Sequence, residues 1–516
     1  MNGDETGGMG ARRDGPLKSR VAGGMAWLAA GRLLVNLLAF AGTIVLARLL
    51  TPDDFGLVAI ATTLLAIVSA VTELSMAQAL VHRRDLHDDH LHAAWTLNAA
   101  RGLLVGLLFC ALAQPVASLY GEPRLVAVMV ALGLSVVVNG LANPKMALFA
   151  RDLVFRQEFA LNVAGKAAAF TVSVAVAYAT RSHWALVMGV VASQTVTIAL
   201  SYRFVPYRPR FGLRRARDLW SFSVWLSLSQ VVNTVNWKSD QLFVAGFLGT
   251  APLGFYTVGD NLAAMPTREA AAPLMRVLFP AFSWLRDQPE RLREAYRSAQ
   301  GMVSVVALPV AVGSALVAEP LVAVTMGTKW LPSVPVIQVL SCVFGLQTLA
   351  SAARPLAMGG GHTALLFRRD VLGLVIRLPS IVAGLALGGL HGLILARAFT
   401  GTVGLAINMQ MVSHIAGLSV WRQIGDNART LLAVGAMAAA VLGADAAARD
   451  ALAAAHLPHD PALALGRVAL MVAVGAAAYP LALVLAWHAS GRPAGPEREI
   501  ALVLDRLRTR LRARPA

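Results

Sequence analysis

Long apolar stretches separated by short polar segments run from residue 25 to residue 488. Each stretch is long enough to cross the hydrocarbon of a bilayer as an α-helix, which takes about 20 residues. The pattern predicts an all-α polytopic membrane protein with fourteen transmembrane helices. The predicted spans are 25–47, 57–79, 93–113, 125–142, 159–179, 184–202, 220–248, 253–275, 298–318, 334–353, 371–387, 391–412, 430–446 and 464–488.

Lysine and arginine residues are distributed unevenly between alternate loops. One set of loops, together with both tails, carries 32 of them, and the other set carries five. Because basic loops remain on the cytoplasmic side, we expect both termini in the cytoplasm and the spans in the cell inner membrane. The net charge of +17 lies in these short loops. We therefore expect the anionic inner leaflet as its partner, and no nucleic acid.

A turn motif recurs in the two halves of the chain. The segment ARLLTPDDFGL at 47–57 returns in diverged form 198 residues later as AGFLGTAPLGF at 245–255. Later matches keep the same order; for example, Phe155-Arg156 is followed by Phe367-Arg368. These matches predict two parallel six-helix repeats, an arrangement typical of transporters.

The repeat divides the chain into six predicted segments. They are a basic cytoplasmic tail at 1–24, an N-terminal bundle of spans 1–6 at 25–202, a basic cytoplasmic linker at 203–219, a C-terminal bundle of spans 7–12 at 220–412, two additional spans at 413–488 and a basic amphipathic cytoplasmic tail at 489–516. The last segment fits either a helix on the inner membrane surface or a solvated tail.

Polar residues inside the predicted spans form stripes. A charge at the bilayer centre costs about 2.5–3.5 kcal/mol and so marks a face that meets water or other helices. Span 7 has one stripe through Ser227, Gln230, Thr234, Lys238 and Gln241, and a second through Asn233, Asn236 and Asp240. The offset of 198 residues places Arg32, Asn36 and Thr43 of span 1 over the first stripe.

This register predicts a central cavity between the halves. Its candidate substrate-binding residues are Arg32, Asn36, Gln230, Thr234, Lys238 and Gln241, and the candidate ion-coupling acids are Glu73, Asp240 and Asp260. Hydrogen bonds that only join helices are the alternative for the uncharged residues. Arg101, Lys166, Arg268, Arg377 and Arg397 are expected to snorkel from span ends. The turn motif, with Arg48, Pro52, Phe55, Gly56 and Gly254, is interpreted as the marker of a gate-forming helix pair.

Other chemistry finds little support in the sequence. The histidines and aspartates at 82–92 fix no metal geometry, and Gly359-Gly360-Gly361-His362 lacks the lysine of a phosphate-binding loop. Cys110 and Cys342 are isolated and are expected to serve only packing. We therefore expect no cofactor, no metal and no enzymatic activity.

The turn motif Arg48-x-Leu-Thr-Pro-x-Asp-Phe-Gly56, with Leu253-Gly254-Phe255-Tyr256, the segment 278–283 and Gly327-x-Lys329-Trp330, resembles the Wzx-type polysaccharide-export flippases. These belong to the multidrug/oligosaccharidyl-lipid/polysaccharide superfamily, and the resemblance covers about residues 20–420, closest to the colanic-acid and lipopolysaccharide exporters. It implies a lipid-linked oligosaccharide on undecaprenyl pyrophosphate as substrate, and two bundles rocking around a cationic cavity. Polysaccharide polymerase or assembly proteins would be partners.

By this resemblance, Arg32 and Lys238 face the pyrophosphate or anionic sugars, and Asp240, Asp260 or Glu73 serves ion coupling. Two alternatives remain open. A multidrug or small-solute cation-coupled antiporter of the same superfamily would favour cationic ligands, against which these basic candidates argue. A membrane glycosyltransferase or assembly scaffold would need an acidic site beside a long outer loop, which the sequence lacks.

Overall fold

A computed structural model of the chain describes residues 34–72, 87–146, 148, 155–214, 224–454, 461–493 and 495–498. Every regular element in these ranges is a helix, so the predicted all-α class is confirmed. The chain forms two compact units, Met1–Ser227 and Leu228–Ala516. The predicted site residues Arg32 and Glu73 lie outside the described ranges.

The described residues of the first unit form six helices. They are α1 (Leu34–Leu49), α2 (Pro52–Thr72), α3 (Asp88–Tyr120), α4 (Arg124–Gly140), α5 (Phe155–Thr180) and α6 (Trp184–Phe204), with a 3-10 turn at Pro144–Met146. Helix α3 packs along α4, and α5 packs along α6. A small apolar cluster of Leu46, Leu50, Ala177 and Ala185 joins α1 to the α5–α6 pair.

The first helix of the second unit, α7, begins four residues before the boundary between the units. Its helices are α7 (Val224–Leu248), α8 (Thr250–Trp284), α9 (Pro289–Leu316), α10 (Ala318–Thr325), α11 (Val334–Gln347), α12 (Ala353–Gly359), α13 (Thr363–Ala416), α14 (Val420–Gly425), α15 (Ala428–Ala454) and α16 (Pro461–Ala489). Helix α8 packs against α9, α11 and α12, and α15 pairs with α16.

Helix α13 is interrupted. Gly388 and Gly389 have non-helical backbone angles, so the helix folds into two arms that meet between the predicted spans 371–387 and 391–412. Gly384 of one arm lies against Gly392 of the other; a Cβ on Gly392 would stand 1.9 Å from the Gly384 carbonyl oxygen. Only residues without a side chain allow this approach, which holds the two arms side by side.

The predicted span 334–353 lies within one helical segment of membrane-spanning length, Thr328–Gly359, which is not a continuous α-helix. Helix α11 ends at Gln347, a 3-10 turn covers Thr348–Ala350, and α12 follows. A buried backbone carbonyl released by such a break needs a partner. The fully buried Gln300 of α9 provides one, because its side-chain amide donates to the Leu349 carbonyl.

Nine helical segments of the described chain are at least 18 residues long and apolar enough to cross a bilayer. One of them is the whole of α13, which contains two arms. Helices α1 and α4 are apolar but shorter within the described residues. The helices therefore lie where the hydrophobic pattern predicts them, and the number of fourteen crossings stays a prediction.

Candidate functional site

The turn motif of the first unit begins α2 with reciprocal hydrogen bonds. The Thr51 backbone N–H donates to Asp54 Oδ2 at 3.0 Å, and the Asp54 backbone N–H donates to the Thr51 hydroxyl oxygen at 3.3 Å. This is a capping box, and Pro52 occupies the first helical position, where its missing N–H costs nothing. Phe55 packs on the apolar cluster around Leu50. Thr, Pro, Asp and Phe of the motif thus have structural roles.

The same motif also joins α2 to two other helix ends. Asp53 accepts a hydrogen bond from Arg124 at the start of α4 at 2.7 Å. Asp54 Oδ1 accepts from the backbone N–H of His183, just before α6, at 3.0 Å. Burial lowers the pKa of His183 below its ordinary value. The motif therefore connects the start of α2 to the starts of α4 and α6. Its role as a gate stays a prediction.

A buried ion cluster lies in the second unit. Asp240 of α7 is 2% exposed, and its Oδ2 accepts three hydrogen bonds, each of 2.7 Å. Arg377 and Arg397 donate two of these bonds from the two arms of α13, and the Tyr256 hydroxyl of α8 donates the third. The close arms of α13 therefore place both guanidinium groups on one carboxylate.

Arg397 bridges two carboxylates. Its second terminal nitrogen donates to Asp260 of α8 at 3.2 Å, and its side chain is only 4% exposed. Aromatic rings support both arginines: the Trp237 ring lies 5.4 Å from Arg377 and 5.9 Å from Arg397, and the Phe344 ring lies 5.9 Å from Arg397. Cation–π contacts of this kind stabilise desolvated guanidinium groups by about 2 kcal/mol.

Two adjoining pockets border this cluster, and we name them together the arginine pocket. The larger encloses about 390 Å³. Helices α7, α8, α11, α12 and α13 and the 3-10 turn Thr348–Ala350 supply the walls. The residues common to both pockets are Asn233, Trp237, Phe344, Gln347, Arg369 and Asn408. The charged lining residues are Arg268, Arg354, Arg369, Arg377, Arg397 and Asp370.

The charge of this lining is strongly positive. The lining contains five arginines and one carboxylate, Asp370, which is paired with Arg369 and lies 3.8 Å from Arg354. Asp240, behind the lining, pairs with two of the five. Asn236 of α7 joins the first arm of α13 by donating to the Asp370 carbonyl at 2.9 Å. The pocket can therefore bind an anion through charge-assisted hydrogen bonds, which guanidinium groups form to phosphate in a bidentate manner.

The structure separates the two polar stripes of α7. Asn233 and Asn236 of the second stripe line the arginine pocket, and Asp240 lies behind its lining. The first stripe does not line it: Gln230 is exposed, Gln241 is buried, and Lys238 is absent from its walls.

The first-stripe residues and Asn36 of α1 stay predictions as substrate-binding residues. The hydroxyls of Thr43 and Thr234 donate to carbonyls four residues earlier in their own helices, both at 2.9 Å. Gly254, the counterpart of Gly56, is buried within α8.

The expectation that Arg377 and Arg397 snorkel from span ends is wrong, because both form ion pairs with the buried Asp240. Sequence reasoning also missed Arg354 and Arg369 as pocket residues. One signal was available: Arg377 and Arg397 stand on either side of the Gly388-Gly389 turn, inside apolar stretches. A folded hairpin brings such residues together. Among the described residues, no three ligand-type side chains are arranged to hold a metal ion.

Comparison with known proteins identifies the family of the chain. The family model described as "Polysaccharide biosynthesis protein" matches residues 45–335, more than half of the chain. The chain belongs to this family.

Two relatives and one solved structure refine this assignment. The chain is 25% identical over 383 residues to the lipopolysaccharide biosynthesis protein WzxC of Escherichia coli (strain K12), covering 73% of this chain and 78% of that protein. It is 26% identical over 325 residues to the succinoglycan biosynthesis transport protein ExoT of Rhizobium meliloti (strain 1021), covering 63% and 66%. The lipid II flippase MurJ in an inward closed conformation superposes with a TM-score of 0.68 at 10% identity, covering 89% of this chain and 100% of that one. This last likeness shows a shared fold.

Proposed function

We propose that this protein flips oligosaccharide units linked to undecaprenyl pyrophosphate from the cytoplasmic to the outer leaflet of the cell inner membrane. The exported units serve exopolysaccharide or lipopolysaccharide synthesis. The observation that carries the proposal is the arginine pocket, whose lining contains five arginines and one carboxylate. The names of the relatives, which concern the synthesis or transport of polysaccharides, support the substrate class.

The physical requirement for such a carrier is plain. A pyrophosphate–sugar headgroup is anionic and hydrated, so it does not cross about 30 Å of hydrocarbon unaided. Buried guanidinium groups replace its water with charge-assisted hydrogen bonds. The polyprenyl chain stays in lipid. Exchange between inward and outward states then needs two conformations within a few kcal/mol of each other.

The charge of the pocket argues against the alternative function, a multidrug or small-solute antiporter. A cationic drug entering the pocket would meet Arg369, Arg377 and Arg397 at short range, and like charges at such range cost several kcal/mol. The two functions therefore predict opposite ligand charges.

The predicted faces of span 1 and span 7 belong to the same proposal. Arg32, Asn36, Gln230, Thr234, Lys238 and Gln241 would extend the binding surface, and Glu73, Asp240 and Asp260 would serve ion coupling. The binding residues are supported by the offset of 198 residues between the two halves. Asp240 and Asp260 are supported by their shared contact with Arg397. Polysaccharide polymerase or assembly proteins would take up the exported unit, and both termini would lie in the cytoplasm.

The test replaces Arg377, which faces the pocket, with alanine. Reconstituted into liposomes with a lipid-linked oligosaccharide, R377A should lose transport by at least about tenfold, since one charge-assisted contact contributes about 1.5–3 kcal/mol. Arg449→Ala is the matched control, because Arg449 is also ion-paired but 53% exposed and outside the pocket. Full glycolipid transport by R377A together with export of cationic drugs would favour the antiporter.

A further inference from the structure

The ion cluster beside the arginine pocket is incompletely satisfied. Among the described residues, Asp240 Oδ1 has no hydrogen-bond partner, and neither has the Nε atom of Arg377 or of Arg397. All three donors on Asp240 share its other oxygen, Oδ2. Buried charges with unfilled hydrogen bonds are costly to maintain. Both arginines therefore have an N–H group that can still donate a hydrogen bond.

The members of the ion cluster differ in whether they line the arginine pocket. Arg377 and Arg397 line the pocket, whereas Asp240 does not. Tyr256, which also binds Asp240, is likewise absent from the lining. An anion in the pocket meets the guanidinium groups, while the carboxylate and its phenol partner lie behind them.

We propose that Asp240 is a resident counter-ion that the anionic headgroup displaces from Arg377 and Arg397. The proposal rests on the proposed function and assigns a role to a residue outside the binding surface. In the empty carrier, Asp240 pairs with both arginines, and Asp260 supplies a second carboxylate to Arg397. In the loaded carrier, phosphate oxygens accept their N–H groups instead, and Tyr256 keeps its hydrogen bond to Asp240. Only hydrogen bonds and ion pairs exchange in this step.

Such a counter-ion solves two problems of a carrier. Without Asp240, the empty pocket would change conformation with Arg377 lacking its carboxylate partner and with Arg397 paired only with Asp260. An uncompensated charge in such an enclosed place is strongly unfavourable. Competition by the carboxylate also weakens the hold on the substrate. Because a flippase must release its substrate on the far side, an anion bound too tightly would stop turnover.

Asp445 provides a matched control in the same unit. It is an equally charged, 8% exposed carboxylate of α15 that pairs with Arg467 of α16 and with Arg449 at 3.0 Å. None of these residues lines the arginine pocket. Asp445→Asn therefore breaks a comparable ion pair without removing a competitor of the pocket.

The experiment measures inorganic pyrophosphate binding to the purified full-length protein by calorimetry. Asp240→Asn should bind at least about tenfold more tightly than the unmodified protein, because the competing charge is gone while the side-chain shape is kept. Its glycolipid transport in liposomes should fall, and D445N should bind as the unmodified protein does. Binding by D240N that is equal, weaker or undetectable overturns the proposal.

Tyr256→Phe gives a second, opposite test that stands even if D240N does not fold. Without the phenol, the displaced carboxylate loses its remaining partner, so pyrophosphate binding should weaken by about two- to fivefold. Unchanged or tighter binding would contradict the counter-ion role. The proposed function is tested separately: it fails if R377A transports glycolipid normally. If R377A abolishes transport but D240N does not bind more tightly, only the counter-ion proposal fails.

Discussion

In the first unit, the ion pair between Arg124 and Asp53 lies at helix ends, with side chains 45% and 35% exposed. In the second unit, the pair between Arg397 and Asp240 lies within helices, with side chains 4% and 2% exposed. An exposed pair contributes about 0–1 kcal/mol, whereas breaking a buried one costs about 3–5 kcal/mol. Within the described residues, the first pair connects the starts of two helices, α2 and α4, and the second borders the arginine pocket.

The turn motif at 47–57 and its counterpart at 245–255 also differ, in how each one starts the following helix. The first copy starts α2 with the side chains of Thr51 and Asp54. The second copy has Gly249 and Pro252 at the equivalent positions, and Gly249 precedes α8 with φ 88° and ψ −171° and no side-chain cap. Both segments thus connect two helices, the first through side-chain hydrogen bonds and the second through the backbone conformation of glycine.

Removing each arginine tests the first contrast and should give the largest effect. Arg397→Ala leaves Asp240 and Asp260 without their shared partner and should lower the free energy of unfolding by about 3–5 kcal/mol. Arg124→Ala should lower it by about 1 kcal/mol or less. Thermal unfolding of the purified variants, followed by circular dichroism, compares them. Equal losses would mean that burial does not separate the two ion pairs.

A pair of substitutions in the turns sharpens the second contrast. Gly249→Ala forces a side chain into a backbone region that is essentially restricted to glycine, at a cost of about 1–3 kcal/mol. Thr51→Ala removes a capping hydroxyl and should cost about 1 kcal/mol.

The same unfolding measurement ranks them, with Gly443→Ala as control, because Gly443 lies in a helix with open space around it. If G249A were as stable as G443A, the backbone angle at Gly249 would not be a requirement of the turn.

Hydrophobic periodicity predicts the helices and the two polar stripes of α7, because both depend on residues close together in the chain. It does not predict which stripe meets a binding pocket. That depends on Arg377 and Arg397, which lie 137 and 157 residues after Asp240. Their partnership follows from the close approach of Gly384 and Gly392 in α13. A local pattern carries no information about such an approach, so the arginines were interpreted as span-end residues.

The smallest expected effect is the pH dependence of stability, for which the first unit has a partly buried histidine and the described lining of the arginine pocket has none. His183 in the first unit has a pKa lowered below about 6.5 by burial, whereas the described lining of the arginine pocket contains no histidine. Because the folded state binds this proton less readily than the unfolded state, stability should fall as the pH drops from about 7 to about 5. His183→Asn keeps the backbone N–H that binds Asp54 and should flatten this dependence in thermal unfolding. A parallel loss in both proteins would place the titration at another residue.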